Sequence, residues 1–271
     1  MAPVDFVKMS GCGNDFVLVD ATRVKLTGDL AELARKICAR HTGVGADGLF
    51  IIEPDTQADF FVRMFNSDGS QPDMCGNASR CVARFAKMCG LVGDKTRFRT
   101  PAGIIEAELL RGDDVRIRMT PPRDLRPSVS VPLSTGTREL GFVNTGVPHA
   151  VLFVEDVTTV DVVRLGREIR NHKVFAPAGA NVDFVQVVAP DRLKMRTYER
   201  GVEDETLACG TGAVAAVVLT RLLGIVVYDT VAVEVPGGVL TVTVELADGK
   251  PTGATLAGEA RVVFRGVTQE L

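Results

Sequence analysis

Two short turns, Met74-Cys75-Gly76-Asn77 and Ala208-Cys209-Gly210-Thr211-Gly212, carry cysteines 134 positions apart, and each runs into an Ala/Val-rich segment of helical character. Other landmarks recur in the same order at nearly the same offset. Ser10-Gly11-Cys12-Gly13-Asn14 falls on Thr145-Gly146-Val147-Pro148-His149, and Gly90-Leu91 on Gly224-Ile225. Thr100-Pro101-Ala102-Gly103 falls on Val235-Pro236-Gly237-Gly238, and Asp68-Gly69 on Arg200-Gly201 at a slightly shorter spacing. The period is far longer than that of solenoid repeats. It predicts two structurally similar halves, so the chain must fold into something that can be made twice.

Strand-like runs dominate the intervening sequence. Residues 16–19, 48–52, 60–65, 115–119, 149–154, 182–188 and 239–244 are β-branched or aromatic and are bounded by Gly, Pro, Asn and Asp. Helical spacing is confined to 30–39, 77–88, 160–171 and 212–223. The segments that follow the two cysteines are apolar almost all round, as buried helices are. Strands wrapped about a buried helix, repeated twice, make an α+β fold of two pseudo-symmetric halves. The link between them is expected in the proline-rich stretch from Pro121-Pro122 to Pro132.

Hydrophobic residues make up 46% and charged residues 24% of the 271, the balance of a globular protein, and a net charge of -3 gives no basic surplus for nucleic acid. No apolar run approaches the length that crosses a bilayer. The first residues lack a signal peptide's charged and apolar regions. A cytoplasmic location with reduced thiols is therefore expected. The six cysteines contain no CxxC pair, so no structural zinc site is expected.

A thiol at a helix start faces the positive end of the helix dipole, which lowers its pKa. Glycine lets a ligand approach the backbone closely, and helix-start N–H groups hold carboxylates. Cys75 and Cys209 thus each offer a carboxylate cradle beside a candidate thiolate, and whichever of the two rests as the thiolate is expected to have a pKa well below the reference of about 8.5. Two such groups suit proton exchange at a carbon next to a carboxylate. A thiolate takes the proton, a thiol returns one to the opposite face, and configuration inverts. Helix N-termini would supply electrostatic stabilisation without a cofactor. No lysine has a pyridoxal-phosphate setting, and Gly11-Cys12-Gly13-Asn14 does not complete a dinucleotide motif. His149, at a strand start, and Glu199-Arg200, just before the second turn, are expected to tune the pair. Cys38, Cys81 and Cys89 read as small buried hydrophobes, and Cys12 is open to either reading. His41 and His172 read as structural or surface residues. Asn14, Asn66 and Asn181 are turn-formers or cleft amides.

The two cysteine turns, with Arg80-Cys81 and Glu199-Arg200-Gly201 running to Ala213, closely resemble the two signatures of the diaminopimelate epimerase family. So do Lys8-Met9 to Phe16, Gly45-Ala46-Asp47, Phe65 to Gly69, Pro148-His149 and Asn181-Val182-Asp183-Phe184. The resemblance spans nearly the whole chain. It implies two halves, each a barrel-like sheet around a central helix: 1–119 with a C-terminal strand near 259–271, and 120–258. It also implies an active site between them and a cofactor-independent epimerase that interconverts LL- and meso-2,6-diaminopimelate, on the route to lysine and peptidoglycan. Cys75 and Cys209 match the catalytic pair, and His149 and Glu199 the groups that tune it. Asn14, Asn66, Gly76, Asn77, Asn181, Glu199, Arg200, Gly210 and Thr211 match substrate contacts, with Arg200 on the distal carboxylate. Family members are often dimers, so a homodimer is expected, with no metal, nucleic acid or membrane as partner.

The chain departs from the commonest family pattern at Gly48, Ala78 and Val147, and its Val202-Glu203-Asp204-Glu205 link is one residue longer. The alternatives are another two-cysteine racemase, of the proline or hydroxyproline type, and a non-catalytic amino-acid-binding protein.

Overall fold

A computed structural model describes residues 3–23, 26–72 and 75–269. Met74 of the first turn lies outside them. The chain divides into two compact units, one made of 1–117 with 258–271 and the other of 118–257.

In the first unit β1 (Asp5–Gly11) pairs antiparallel with β2 (Asn14–Asp20), and β2 pairs parallel with β3 (Gly48–Glu53). β3 and β4 (Phe60–Asn66) are antiparallel, β4 and β5 (Lys95–Thr100) parallel, and β5 and β6 (Gly103–Leu109) antiparallel. The C-terminal strand (Arg261–Val267) returns to lie antiparallel on β1. The helix α1 (Leu30–Cys38) lies between β2 and β3 in sequence, and α2 (Gly76–Met88) between β4 and β5.

The second unit repeats this order of strand senses. β9 (Gly136–Asn144) and β10 (Pro148–Phe153) are antiparallel, β10 and β11 (Asn181–Ala189) parallel, and β11 and β12 (Arg192–Glu199) antiparallel. β12 is parallel to β14 (Thr230–Val235), which is antiparallel to β15 (Gly238–Ala247). Its helices α3 (Val162–Arg170) and α4 (Gly210–Leu222) occupy the places of α1 and α2. The repeated Gly-Leu and Gly-Ile pairs end α2 and α4 alike. Gly90 and Gly224 take left-handed φ of 74° and 67°. The amides of Leu91 and Ile225 donate five residues back, to Ala86 and Thr220. Those of Gly90 and Gly224 donate to Lys87 and Arg221. Both are Schellman caps.

Central burial explains why some strands alternate and others do not. β3 carries α2 on one face and α1 on the other, and β11 likewise lies between α4 and α3. Strands covered on both sides read as continuous apolar runs, as Leu49–Ile52 does; Val182–Val185 is likewise buried throughout and is apolar except for Asp183. β15, which packs only its inner face on α4, alternates buried Leu240 and Val242 with exposed or half-buried threonines. α4 is buried from Ala213 to Thr220.

The proline-rich stretch expected as a link is itself a strand, β8 (Arg123–Leu133), paired antiparallel with β9. Its register slips between Arg123 and Arg126 and again between Arg126 and Val129. Pro127 sits in the second slip, where no ladder donor is required.

Gly166 of α3 lies directly against β12: a Cβ there would come within 2.4 Å of the Tyr198 Cβ, an atom tethered to the backbone. Gly166→Ala is expected to destabilise the protein by about 1–3 kcal/mol, the usual range for overpacking. That should outweigh the helix-propensity gain of about 1 kcal/mol. Urea denaturation measures it, and an unchanged or raised midpoint would contradict the contact.

Candidate active site

Asp29 and Asp161 cap the outer helices α1 and α3, accepting hydrogen bonds from first-turn amides. That is what helix N-termini prefer. The central helices break the rule in the same way: their N-cap residues are Cys75 and Cys209, both in extended backbone. The Cys75 carbonyl accepts the Ser79 amide at 2.9 Å, and that of Cys209 the Ala213 amide at 3.0 Å. Each thiol is thus held at the first turn of a buried helix, where backbone donors are exposed at the positive end.

In the second unit a polar row stands on the inner face of the sheet, against α4. His149 opens β10 and sits opposite Asn181 in the parallel ladder. Asp183, two residues on, shares that face, and its cross-strand partner on β12 is Thr197. His149 Nδ1 lies 2.7 Å from Asp183 Oδ2, and the Thr197 hydroxyl donates to Asp183 Oδ1 at 2.7 Å. His149 Nε2 lies 2.9 Å from the Thr211 hydroxyl, which lies 3.4 Å from Cys209 Sγ. His149, Asp183 and Thr197 are buried. Gly212 admits the carboxylate, since a Cβ there would come within 2.4 Å of Asp183 Oδ1.

Burial raises the Cys209 pKa well above the ordinary thiol range, and the carboxylates of Glu199 and Asp183 add to the shift. The helix-start rule predicts the opposite. The hydrogen bonds from Thr211 and the Gly212 amide do act downward, but burial and two neighbouring negative charges outweigh them. Cys209 is therefore a thiol at neutral pH. Glu199, half-buried at the end of β12, is itself pushed up, first by burial and then by Asp183, against the opposing Thr206 hydroxyl and His149.

Asn181 is buried, and its amide is committed to the backbone: Oδ1 accepts the Arg200 amide at 2.8 Å, and Nδ2 donates to the Pro148 carbonyl at 3.3 Å. The Arg200 side chain reaches the Ala178 carbonyl at 3.3 Å. In the longer link Glu203 adopts a left-handed φ of 60°, and its carboxylate accepts from the Gly201 amide, Tyr198 and Arg170. That compensates for the absence of glycine there.

In the first unit the turn between β1 and β2 places both Cys12 (φ 52°) and Gly13 (φ 89°) in the left-handed region, as a tight hairpin demands. Asn14 on its far side accepts from Asn77 Nδ2 at 2.7 Å and donates to Asp47 at 3.0 Å. Lys8 pairs with Asp15 at 2.7 Å and bonds the Gly45 carbonyl. Arg80 of α2 is wholly buried, with its Nη2 on Asn77 Oδ1 at 2.9 Å and Cys12 Sγ at 3.4 Å. Burial nonetheless raises the Cys12 pKa. Asn66, exposed at the end of β4, bonds the Ser70 hydroxyl at 2.9 Å. At Gly48 a Cβ would meet the Phe65 carbonyl at 2.7 Å, so this backbone has no room for a longer residue. Cys38 and Cys81 are buried, with pKa values pushed up to about 12 by that burial, and Cys89 is raised to about 11.

Sequence reasoning assigned no part to Asp183, Thr197 or Arg80. A usable signal existed for Asp183: a carboxylate inside a continuously apolar strand has to be paired. Among the described residues, no cluster of three or more His, Cys, Asp and Glu could hold a metal ion.

Two measurements follow. Alkylation of Cys209 by iodoacetamide, followed by mass spectrometry of its peptide, should be slow at pH 7 and still rising above pH 9. A plateau below pH 8 would contradict the raised pKa. Glu199 favours its protonated form in the fold, so its contribution falls as pH rises from the unfolded value of about 4.3 through the raised folded value. Glu199→Gln should therefore raise the Tm at pH 7 and lose that advantage near pH 4. An equal Tm difference at both pH values would contradict this.

The family model for diaminopimelate epimerase matches residues 6–125 and 141–263. A diaminopimelate epimerase of Aquifex aeolicus (strain VF5) is 46% identical, with 98% of each chain covered. One of Chlorobaculum tepidum is 42% identical, covering 95% of this chain and 98% of that one. Among solved structures, a Bacillus anthracis phenazine biosynthesis protein of the PhzF family superposes with a TM-score of 0.76 at 16% identity over the whole of both chains. A hydroxyproline epimerase from Agrobacterium vitis gives 0.72 at 16% identity, covering 98% of this chain and 92% of that one. These two likenesses are of fold. The duplicated fold, the cysteine caps of both central helices and the full-length sequence matches lead to one assignment: the chain belongs to the diaminopimelate epimerase family.

Proposed function

We propose that this protein interconverts LL- and meso-2,6-diaminopimelate by a two-base proton transfer between Cys75 and Cys209, with no cofactor. The observation that carries this reading is that the two central helices begin with cysteine where the outer helices begin with aspartate. A capping residue that gives up side-chain capping, typically worth about 1 kcal/mol, at matching positions of a repeat is best explained by chemistry. The relatives at 46% and 42% identity supply the substrate.

The reaction needs an acid and a base at one stereocentre, on opposite sides of the α-carbon. Charge separates the roles. Cys209 stands among carboxylates and rests as the thiol, hence the acid. Cys75 caps a helix whose buried Arg80 donates toward the Gly76 carbonyl at 3.5 Å, and in this reading it takes the complementary role of base. As the α-proton leaves, charge develops on the substrate carboxylate. Donors at a helix start, already oriented, stabilise such charge best. Gly76-Asn77 and Gly210-Thr211 are the cradles in this reading. Asn14, Asn66 and Asn181 shape the pocket, Arg200 takes the distal carboxylate, and Glu199 and His149 tune Cys209.

A homodimer in the cytoplasm fits this function. In support, the C-terminal strand exposes Val263, Phe264 and Val267 beside its pairing with β1, and no described helix is long and apolar enough to cross a membrane.

The test is incubation with LL-diaminopimelate in deuterated water under reducing conditions. Inversion at one α-carbon, with deuterium incorporated there, is expected, whereas proline and glutamate stay inert. Cys75→Ala and Cys209→Ala should each lower the rate by about a hundredfold or more while remaining folded. Racemisation of proline with diaminopimelate untouched would overturn the substrate. Full activity in either variant would overturn the two-base chemistry.

A further inference from the structure

The hydrogen bonds around His149 have a direction that can be worked out from its ends. The Arg200 amide can only donate, so the Asn181 atom it meets at 2.8 Å is the oxygen, and the Asn181 nitrogen is the atom facing His149 Nε2 at 3.4 Å. An amide N–H faces an unprotonated ring nitrogen. At the other edge of the ring, the Asp183 carboxylate, which can only accept when ionised, lies 2.7 Å from Nδ1. Both neighbours select the same tautomer, with the proton on Nδ1 and the lone pair on Nε2. The Thr211 hydroxyl, 2.9 Å from Nε2, must then donate its hydrogen to the ring. Its oxygen is left with lone pairs only, and the next atom along is Cys209 Sγ at 3.4 Å. The sulfur can complete the chain only by donating S–H.

We propose that Asp183 is a positioning residue which, through the His149 tautomer and the Thr211 hydroxyl, holds Cys209 as a thiol with its hydrogen in a fixed direction. This rests on the reading that Cys209 is one of the two acid/base groups. Thr197 anchors Asp183 from the opposite oxygen, and Gly212 gives the carboxylate its space. The charged and titratable groups facing Cys209 and the ring are Asp183 from β11, Glu199 from β12 and His149 itself from β10. The downward pull of Thr211 on the Cys209 pKa needs the hydroxyl hydrogen on the sulfur, so it is given up for as long as that hydrogen is donated to His149 Nε2. Asp183 therefore acts on the acid without touching it, by deciding which way three hydrogen bonds run.

The experiment combines ring spectroscopy with kinetics. The chain has only three histidines, so the nitrogen NMR signals of His149 can be assigned by comparison with a His149→Gln sample. In the wild-type protein at neutral pH, Nδ1 should be protonated and Nε2 unprotonated. Thr211→Val, which keeps the shape and removes the hydroxyl, should lower kcat for LL-diaminopimelate by about tenfold or more, as misorientation of a reacting group does, with KM changed less than about twofold. Thr211→Ser should restore most of the rate. Asp183→Asn, if it folds by circular dichroism, should lose kcat in the same pattern and shift the His149 nitrogen signals. If it does not fold, the wild-type spectrum and the Thr211 pair still decide. A proton on Nε2 in the wild type, or a folded Thr211→Val enzyme with unaltered kcat, would overturn the proposal. Inactivity of the wild-type enzyme would instead overturn the functional reading, leaving the ring spectrum to judge the hydrogen-bond chain.

Discussion

A helix packed on all sides within its own strand layer has one place where its polar backbone must still be satisfied: its first turn, whose amides have no partner within the helix. In both units of this protein the organisation follows from that constraint. α2 and α4 are buried along most of their length, so the sheets contribute apolar side chains to their flanks and polar ones to their starts. The thiols, the glycines that let backbone or carboxylate come close, and the rows of Asn, Thr, His and Asp all gather there.

The same plan is fitted out with opposite charge in the two halves. α2 carries a buried guanidinium within its first turns, bonded to an asparagine, a thiol and backbone carbonyls. α4 carries none. Its start is met instead by carboxylates from β11 and β12. Duplication thus yields two equivalent positions, and side chains outside the duplicated turns make them unequal. The proposed chemistry needs an acid and a base that are unequal at rest, and the difference the two helix starts offer is electrostatic.

Much of the fold was legible because the repeat constrains it. The hairpin turns at Thr100–Gly103 and Val235–Gly238, the paired helix ends at Gly90 and Gly224, and the cysteine starts are each set by local chemistry of glycine and proline. The stretch from Pro121 to Pro132 misled because proline argues against strand only where a ladder donor is needed; Pro121 and Pro122 precede β8, and Pro127 sits in one of its register slips. Which of the two cysteines would rest as the thiol was not legible for a different reason. A helix start is visible in the sequence, but the carboxylates that reverse its effect arrive through the pairing of β10, β11 and β12, from residues far away along the chain. The part played by Asp183 was hidden in the same way, because its partners lie on three other elements.

The interlocked row of His149, Asp183, Thr197 and Gly212 also restricts how this protein can drift. Gly212 has no side chain because Asp183 occupies that volume, and Asp183 holds its place against a hydroxyl from the neighbouring strand. A methyl group gained on the helix would require a shorter residue on β11, which would in turn orphan both the imidazole and the threonine. The four positions are therefore coupled by volume and by hydrogen bonding, so that a change at one is felt at the other three.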